Sequence, residues 1–382
     1  MNELEHRALE ILEGLAAQLA APFFEDKPAH FILGILAKLE GVDTKRDQFG
    51  NIIARYRRIG PDAEARPPIA FVAHMDHPGF EIFLDRGQDG IYTARASGRV
   101  PEASLMKPVP VLVLTPDGER LPATLEPMDQ SSAAQGDRIV GVRLQSEVEF
   151  SLPAAVIFDL PDFSLVGDTI HMRAADDLAG CASILAALER LVAGEAETDF
   201  YAVFTRAEEG GLFGARLMAE AGTLPQDTLV VSVETSSIIP GVTQGEGPII
   251  RTGDRAYTFD SDAEQVFHVA RSVILQRDPD FKTQRHLMSA GGCEATAFAV
   301  FDYTVTGLAY PLGNWHNATT SIPDPDGGVD SENISLSDYL GGVELIAESA
   351  ISVAQRRNSP TRKSLRNIPE DIRERMTGSA GP

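Results

Sequence analysis

Five groups of carboxylates and imidazoles are spread between Val72 and His316 of this 382-residue chain: His74-Met75-Asp76, Asp176-Asp177, Glu208-Glu209, Glu234 and His316. Imidazole nitrogen with carboxylate oxygen is a ligand set for zinc, with cobalt or manganese as alternatives. Two such cations about 3.5 to 4 Å apart can share a hydroxide and a bridging carboxylate, which acidifies the water and polarises a carbonyl. The five groups are therefore raw material for a two-metal hydrolase. In extended backbone His74 and Asp76 point to the same side, so the Asp76 carboxylate is expected to bond the far imidazole nitrogen and fix the tautomer. Glu208 and Glu209 are adjacent and point in different directions, which lets one hold a metal while the other faces the water.

Each piece alone has a plainer reading. An Asp pair commonly opens a helix, where the macrodipole favours negative charge, and a Glu pair commonly lies in a solvated loop. His171 and His268 are expected to be structural, and His6, His30 and His286 receive no role. Rival chemistries lack their signatures. Cys293 in Gly291-Gly292-Cys293-Glu294 and Ser236 have no Gly-x-Ser-x-Gly elbow and no histidine nearby in sequence to act as base. Gly245-Glu246-Gly247 has neither a following Lys-Ser/Thr nor Rossmann spacing. The order of the five groups carries more information than any one of them.

The elements that must position these groups follow from hydrophobic period. A helix is expected over 2–20, a second from Pro28, strands at 51–56 and 69–73, helices at 177–192 and 212–221, and strands at 200–205 and 228–233. Helices at 263–275 and after Cys293, a strand at 303–308 and a helix at 335–353 complete the pattern. Ser335 and Asp338 stand at capping-box spacing at the start of the last helix. Between 79 and 166 no helix is expected, only short strands broken by Pro-Asp-Gly and Gln-Gly-Asp turns, as in a small barrel. The expected fold is α/β: a mixed, mostly parallel sheet flanked by helices, with an inserted all-β domain. The domains are then 1–78 with 167–355, the insertion 79–166, and a mobile basic tail at 356–382. In an open α/β sheet the ligand crevice lies at the carboxyl ends of strands, where His74, Glu208, Glu209, Glu234 and His316 fall.

Composition excludes other classes. With 33 basic and 56 acidic residues the net charge is −23, a field that repels nucleic acid and anionic membrane and attracts cations. No run approaches the roughly 20 apolar residues of a membrane span. No basic segment followed by an apolar one opens the chain, and a cytoplasmic location is expected. Cys181 and Cys293 lie far apart in apolar or Gly-rich surroundings and are expected as reduced, buried thiols.

Ala73-His74-Met75-Asp76, Ala175-Asp176-Asp177-Leu178-Ala179-Gly180-Cys181, Glu208-Glu209-Gly210-Gly211-Leu212-Phe213-Gly214-Ala215 and Gly241 through Gly247-Pro248 resemble the glutamyl aminopeptidase and endoglucanase-M-like family of metallopeptidases. The resemblance covers most of the chain, including the β insertion. It implies that His74 binds one metal and His316 the other, that Asp176 bridges them, and that Glu209 and Glu234 supply the remaining carboxylates. It also implies Glu208 as the general base that works on the bridging hydroxide's water, and Asp76 as the residue that orients His74. Two divalent ions per subunit, a zinc-peptidase-like fold, a small peptide or amino-acid amide as substrate, and a homo-oligomer between dimer and dodecamer belong to the same expectation.

The chain departs from the family pattern at His77-Pro78-Gly79, where Glu-Ile-Gly is usual, and at Glu234, where Asp is usual. It also departs at Gly291-Gly292-Cys293-Glu294-Ala295 and at Asn314-Trp315-His316-Asn317. Related two-zinc enzymes with Glu at the single-acid position are often carboxypeptidases or deacylases. The expected function is removal of N-terminal residues from small peptides, with a carboxypeptidase or N-acyl amino acid deacylase as the alternative. A metal-binding assembly protein is the reading that involves no catalysis.

Overall fold

The computed structural model describes residues 1–60, 67–87, 89–116, 118–134 and 136–380. Asp117 and Gln135, which belong to two of the expected turns, and the last two residues of the tail lie outside that description.

Eight strands form the main sheet, in the order Val42–Arg46, Ile52–Arg58, Thr198–Thr205, Ile69–His74, Leu229–Ser237, Thr304–Leu312, Ile249–Arg251 and Gln284–His286. The four at its centre, from Thr198–Thr205 to Thr304–Leu312, are mutually parallel, and antiparallel pairings begin on either side of them. Ile69–His74 is buried at every position, as its unbroken apolar run requires of a strand covered on both faces. Its residues divide by period two. Ile69, Phe71 and Ala73 join the core under the helices Glu3–Ala16, Ala175–Ala193, Ser261–Ile274 and Leu336–Ser352, while Ala70 and Val72 face Phe213–Glu220 and Glu294–Ala299. Phe71 stacks on Phe200 of the neighbouring strand with ring centroids 5.4 Å apart, which ties two central strands on one face.

The insertion is a closed antiparallel barrel of Gly79–Leu84, Tyr92–Ser97, Ile139–Leu144, Arg120–Pro127, Val109–Leu114 and Ala154–Phe158. Closure leaves no free strand edge. Alternate residues such as Phe80, Ile82, Val111, Val113, Val140 and Val142 fill its interior. A small sheet of Phe163–Val166, Thr169–Met172 and Glu332–Ser335 joins the chain after the barrel to the segment before the last long helix. The α/β class with a mixed, helix-flanked sheet and a β insertion is thus what the chain adopts.

Several details differ from expectation. The insertion, expected to hold no helix, carries a short one at Ala103–Met106. The Leu229–Ser237 strand runs past Val233, because its pairing with Thr304–Leu312 continues to Ser237 opposite Leu312; Glu234 is inside the strand and not after it. At the last helix Ser335 caps the Asp338 N–H, but the Asp338 carboxylate turns away to accept N–H bonds from Gly245 and Gly247 at 2.8 and 2.7 Å. The capping box is therefore only half made. Where a tail was expected, Pro360–Arg366 and Glu370–Ser379 are helical, and Arg356, Arg357 and Arg362 gather around Asp262. Among the described residues no helix is long and apolar enough to cross a membrane.

Candidate metal centre

The carboxyl ends of the central strands bring all five groups together. Asp176 lies between the two histidines: its Oδ1 is 3.3 Å from His74 Nε2 and its Oδ2 is 3.6 Å from His316 Nε2. Glu209 Oε1 is 3.1 Å from His316 Nε2, and Glu208 Oε2 is 3.9 Å from His74 Nε2. Three overlapping triads have ligand atoms within 4.8 Å of one another: His74 with Asp176 and Glu234, Asp176 with Glu209 and His316, and His74 with Glu208 and Glu209. Four of these side chains, His74, Asp176, Glu234 and His316, are at most 5% exposed.

Local folding explains the aim of each imidazole. His74 ends its strand, and its Nδ1 is 3.0 Å from the Asp76 carbonyl oxygen. His316 Nδ1 is 2.8 Å from the Arg99 carbonyl oxygen. A carbonyl only accepts, so in both rings Nδ1 carries a proton and donates; Nε2 faces the carboxylates, and once deprotonated it is the nitrogen left to ligate a metal. His316 itself has φ +56°, between Asn314 at +54° and Asn317 at +64°. Left-handed backbone is unfavourable for a histidine, and the Glu332 carboxylate holds it there by accepting the His316 N–H at 2.8 Å and the Asp176 N–H at 2.9 Å.

Asp76 does something other than expected. Its carboxylate accepts the N–H groups of Glu208 and Glu209, each at 3.0 Å, and its Oδ1 is 3.7 Å from His74 Nδ1. His74 Nδ1 bonds the Asp76 backbone carbonyl and not its carboxylate. Asp76 therefore fixes the loop that carries the Glu pair. Asp177 accepts the His74 N–H at 3.3 Å and the Gly180 N–H at 3.1 Å, tying the start of the Ala175–Ala193 helix to the end of the His74 strand.

The electrostatics are those of a crowd of buried acids. Burial pushes Glu208 and Glu234 well above the usual carboxylate range, and neighbouring carboxylates, Glu209 and Glu294 for the first and Glu294 and Glu208 for the second, add to it. Burial with the charges of Glu25 and Glu209 pushes Asp76 up to about 7. Asp176 goes the other way: burial opposes its charge, but the close approach of His316 and His74 pulls its carboxyl far below the ordinary value. Burial also opposes charge on the imidazoles, yet Glu208 and Asp176 at His74, and Glu209 and Asp176 at His316, hold both well above 6.5. A site with this field gains by binding positive charge.

The residues fit divalent cations on two further counts. Glu234 Oε1 is buried without a hydrogen-bond partner, and Asp176 Oδ1 makes no hydrogen bond of good geometry, although buried polar atoms are normally satisfied. The donor set is nitrogen and carboxylate oxygen, with no thiolate in reach. Burial pushes the Cys293 thiol up to about 12, so it carries no nucleophilic thiolate, and Cys181 donates to the His74 carbonyl at 3.1 Å. Both cysteines are free and buried, as expected.

Sequence reasoning gives no role to two groups that build this centre, Glu332 and His77. Glu332 lies more than 150 residues from Asp176, beyond the reach of any local pattern. His77 stands in the sequence only as a departure from the family pattern; its Nδ1 is 2.6 Å from the Asp176 carbonyl and its Nε2 is 2.9 Å from Asn317 Oδ1. Asp177, named with Asp176 among the five groups, serves as the tie between strand and helix. His268, expected to be structural, bonds Glu264 at 2.8 Å on its own helix.

The centre opens into a cleft of about 480 Å³ walled by Gly211, Arg251, Arg255, Met288, Gly291 and Trp315 among others. A larger cavity of about 820 Å³ lies between the Glu3–Ala16 and Leu336–Ser352 helices and touches none of the five groups.

Residues 147–324 match the M42 glutamyl aminopeptidase family. A curated relative from Acetivibrio thermocellus, provisionally called an aminopeptidase, is 27% identical over 193 residues, 49% of this chain. The match spans 53% of that relative's length, about half. Among solved structures, the TET1 peptidase of Pyrococcus horikoshii, which can assemble into a tetrahedron or a large octahedral shell, superposes with TM-score 0.70 at 23% identity, covering 90% of this chain and 99% of the other. An aminopeptidase of the archaeon Desulfurococcus kamchatkensis gives TM-score 0.72 at 19% identity, covering 91% and 95%. At these identities the structural likeness establishes the fold, and the family resemblance read from the motifs stands.

Proposed function

We propose that this chain, matched over its central part to the M42 glutamyl aminopeptidases, is a metal-dependent peptidase that hydrolyses amide bonds, an aminopeptidase acting on small peptides. The observation that carries the reading is Asp176 placed between His74 and His316 with Glu234 and Glu209 at either side. His74, Asp176 and Glu234 would hold one divalent ion, and Asp176, Glu209 and His316 the other, with zinc the expected metal and cobalt or manganese as alternatives. Bound there, the pair would supply Lewis-acid polarisation of the scissile carbonyl and acidification of the attacking water.

Glu208 acts as general base. Its carboxylate takes no structural hydrogen bond among the described residues, and its backbone is fixed by Asp76, so the side chain is positioned and unoccupied. It removes a proton from the attacking water and returns it to the leaving amine nitrogen. Asp76, His77 and Glu332 are positioning residues: each bonds the backbone of residues that would hold the metals. The oligomeric relatives support a homo-oligomer, and two free buried thiols suit a cytoplasmic setting.

The test is hydrolysis of amino-acid anilides, dipeptides and N-acyl amino acids by chelated protein resupplied with zinc, cobalt or manganese. Metal-restored cleavage of anilides or dipeptides is expected. Activity only on N-acyl amino acids would establish the deacylase alternative, and amide cleavage that persists in chelator would overturn the metal-centred reading.

A further inference from the structure

The last part of the chain carries an apolar face that its own body leaves open. Residues Glu370–Ser379 form a helix with no buried residue, and the Pro360–Arg366 helix before it has none either. Leu365 and Met376, 75% and 66% exposed, are the two most exposed large hydrophobic side chains among the described residues, and Ile368 and Ile372 are exposed between them. A ten-residue helix is marginal in water by itself and owes its stability to burial of one face. Ile372 and Met376, four residues apart, share a face and make one stripe. At helical spacing Arg373 and Arg375 flank that stripe, whereas Glu370, Asp371 and Glu374 fall on the far side. The face left open is therefore both apolar and cationic.

A surface of complementary character lies elsewhere on the chain. The cavity of about 820 Å³ between the Glu3–Ala16 and Leu336–Ser352 helices is walled by Leu4, Ile274, Phe281, Leu340 and Val343 together with charged groups. Its cations are already matched: Arg7 pairs with Glu189, Arg190 and Arg277 with Glu344, and Lys282 with Glu246. Asp278 and Asp280 are exposed at its edge and form no ion pair among the described residues, so the charge left over is negative. The tail of the same copy does not occupy it. No described residue beyond Glu344 lines the groove, and Arg356, Arg357 and Arg362 hold the tail at Asp262. Asp262 and Ile274 lie at opposite ends of the Ser261–Ile274 helix, roughly 18 Å apart.

We propose that the Glu370–Ser379 helix lays its apolar stripe in this groove on a second copy of the chain, with Arg373 and Arg375 meeting Asp278 and Asp280. Charge selects the occupant. Residues 356–382 hold seven basic and three acidic residues, a net +4, and the rest of the chain 26 basic and 53 acidic, a net −27. The tail is drawn to the body of another copy, while its own body repels nucleic acid and anionic membrane. A helix in a groove is held by apolar anchors on one stripe, which Ile372 and Met376 supply. Helix and groove are different surfaces, so each copy offers one of each, and the contact runs head to tail, closing a ring or adding copies in one direction. The proposal rests on the homo-oligomer reading, to which it adds a contact, and is independent of the chemistry at the metal centre.

Sedimentation equilibrium of the full-length chain at several concentrations measures the association. Ile372→Asp with Met376→Asp should weaken it about tenfold or more, and Arg373→Glu with Arg375→Glu should weaken it in the same direction. Adding Asp278→Arg and Asp280→Arg to the second variant should restore association, because the swapped charges attract only if the two surfaces meet. A wild type that stays monomeric overturns both the proposal and the homo-oligomer reading. Association of equal strength in the wild type and both tail variants overturns the proposal alone and leaves the oligomer to other surfaces. Tail-dependent association that the charge swap does not restore overturns it as well, by placing the helix on a different surface. Tail-dependent binding to phosphatidylserine vesicles without tail-dependent self-association overturns it in favour of a membrane.

Discussion

Gly214→Ala tests whether the loop bearing Glu208 and Glu209 is held where the chemistry needs it. Gly214 stands at the start of the Phe213–Glu220 helix, and its N–H donates to the Arg206 carbonyl at 2.9 Å. The Asn51 amide closes the same corner, donating to the Gly214 carbonyl at 3.1 Å and accepting the Arg206 N–H at 3.1 Å. A Cβ on Gly214 would lie 2.5 Å from both the Arg206 carbonyl oxygen and Asn51 Oδ1, and 2.6 Å from the Arg206 nitrogen, where ordinary contact begins at 3.4 Å. About 0.9 Å of movement must be found, and two of the three obstructing atoms are backbone two residues before Glu208. Overpacking of this kind costs about 1–3 kcal/mol. Displacing a catalytic group by about 1 Å costs up to about 100-fold in rate. With the metals saturated, kcat on the preferred substrate should fall about 10- to 100-fold and the melting temperature by a few degrees. A Gly214→Ala protein with wild-type kcat would refute the claim that the Arg206–Asn51 corner sets the position of the Glu pair.

Glu208→Gln should lower kcat by about 100-fold or more while zinc content stays near that of the wild type, measured by elemental analysis. Equal loss of metal would make Glu208 a ligand and leave the base unassigned. Glu264 provides a pH test away from the centre. Burial opposes its charge, yet bonds from His268 and Arg285, the latter at 2.6 and 2.9 Å, pull its carboxyl down to about 2. A carboxyl depressed on folding stabilises above its unfolded value near 4.5 and loses that contribution as pH falls toward 2. The melting-temperature gap between wild type and Glu264→Gln should therefore narrow from pH 5 to pH 3, and a gap constant across that range would contradict the assignment.

What the sequence revealed of this protein was whatever depends on short-range period and on the order of ligating residues. Ile69 to Ala73 announced a doubly covered strand with His74 at its end, and the barrel announced itself through short runs broken by turns. Contacts that cross the fold left no such trace. Glu332 reaches Asp176 and His316 only because a small three-stranded sheet returns the chain to the crevice, and Arg251 is a single arginine after two isoleucines until pairing places it opposite Gly307. Asp76 shows a third kind of loss: spacing predicted the correct cluster, but its carboxylate bonds the backbone amides of a loop 132 residues away.

The central claim is that this crevice holds two divalent ions and needs both. Zinc-free protein prepared by chelation should be titrated with zinc while hydrolysis of the preferred anilide or dipeptide and bound metal are measured in the same samples. The account predicts no activity before metal is added, a rise that levels off only at two equivalents per chain, and loss of a bound equivalent in His316→Ala. Full activity in excess chelator, or a plateau reached at one equivalent with no second ion bound, would contradict it.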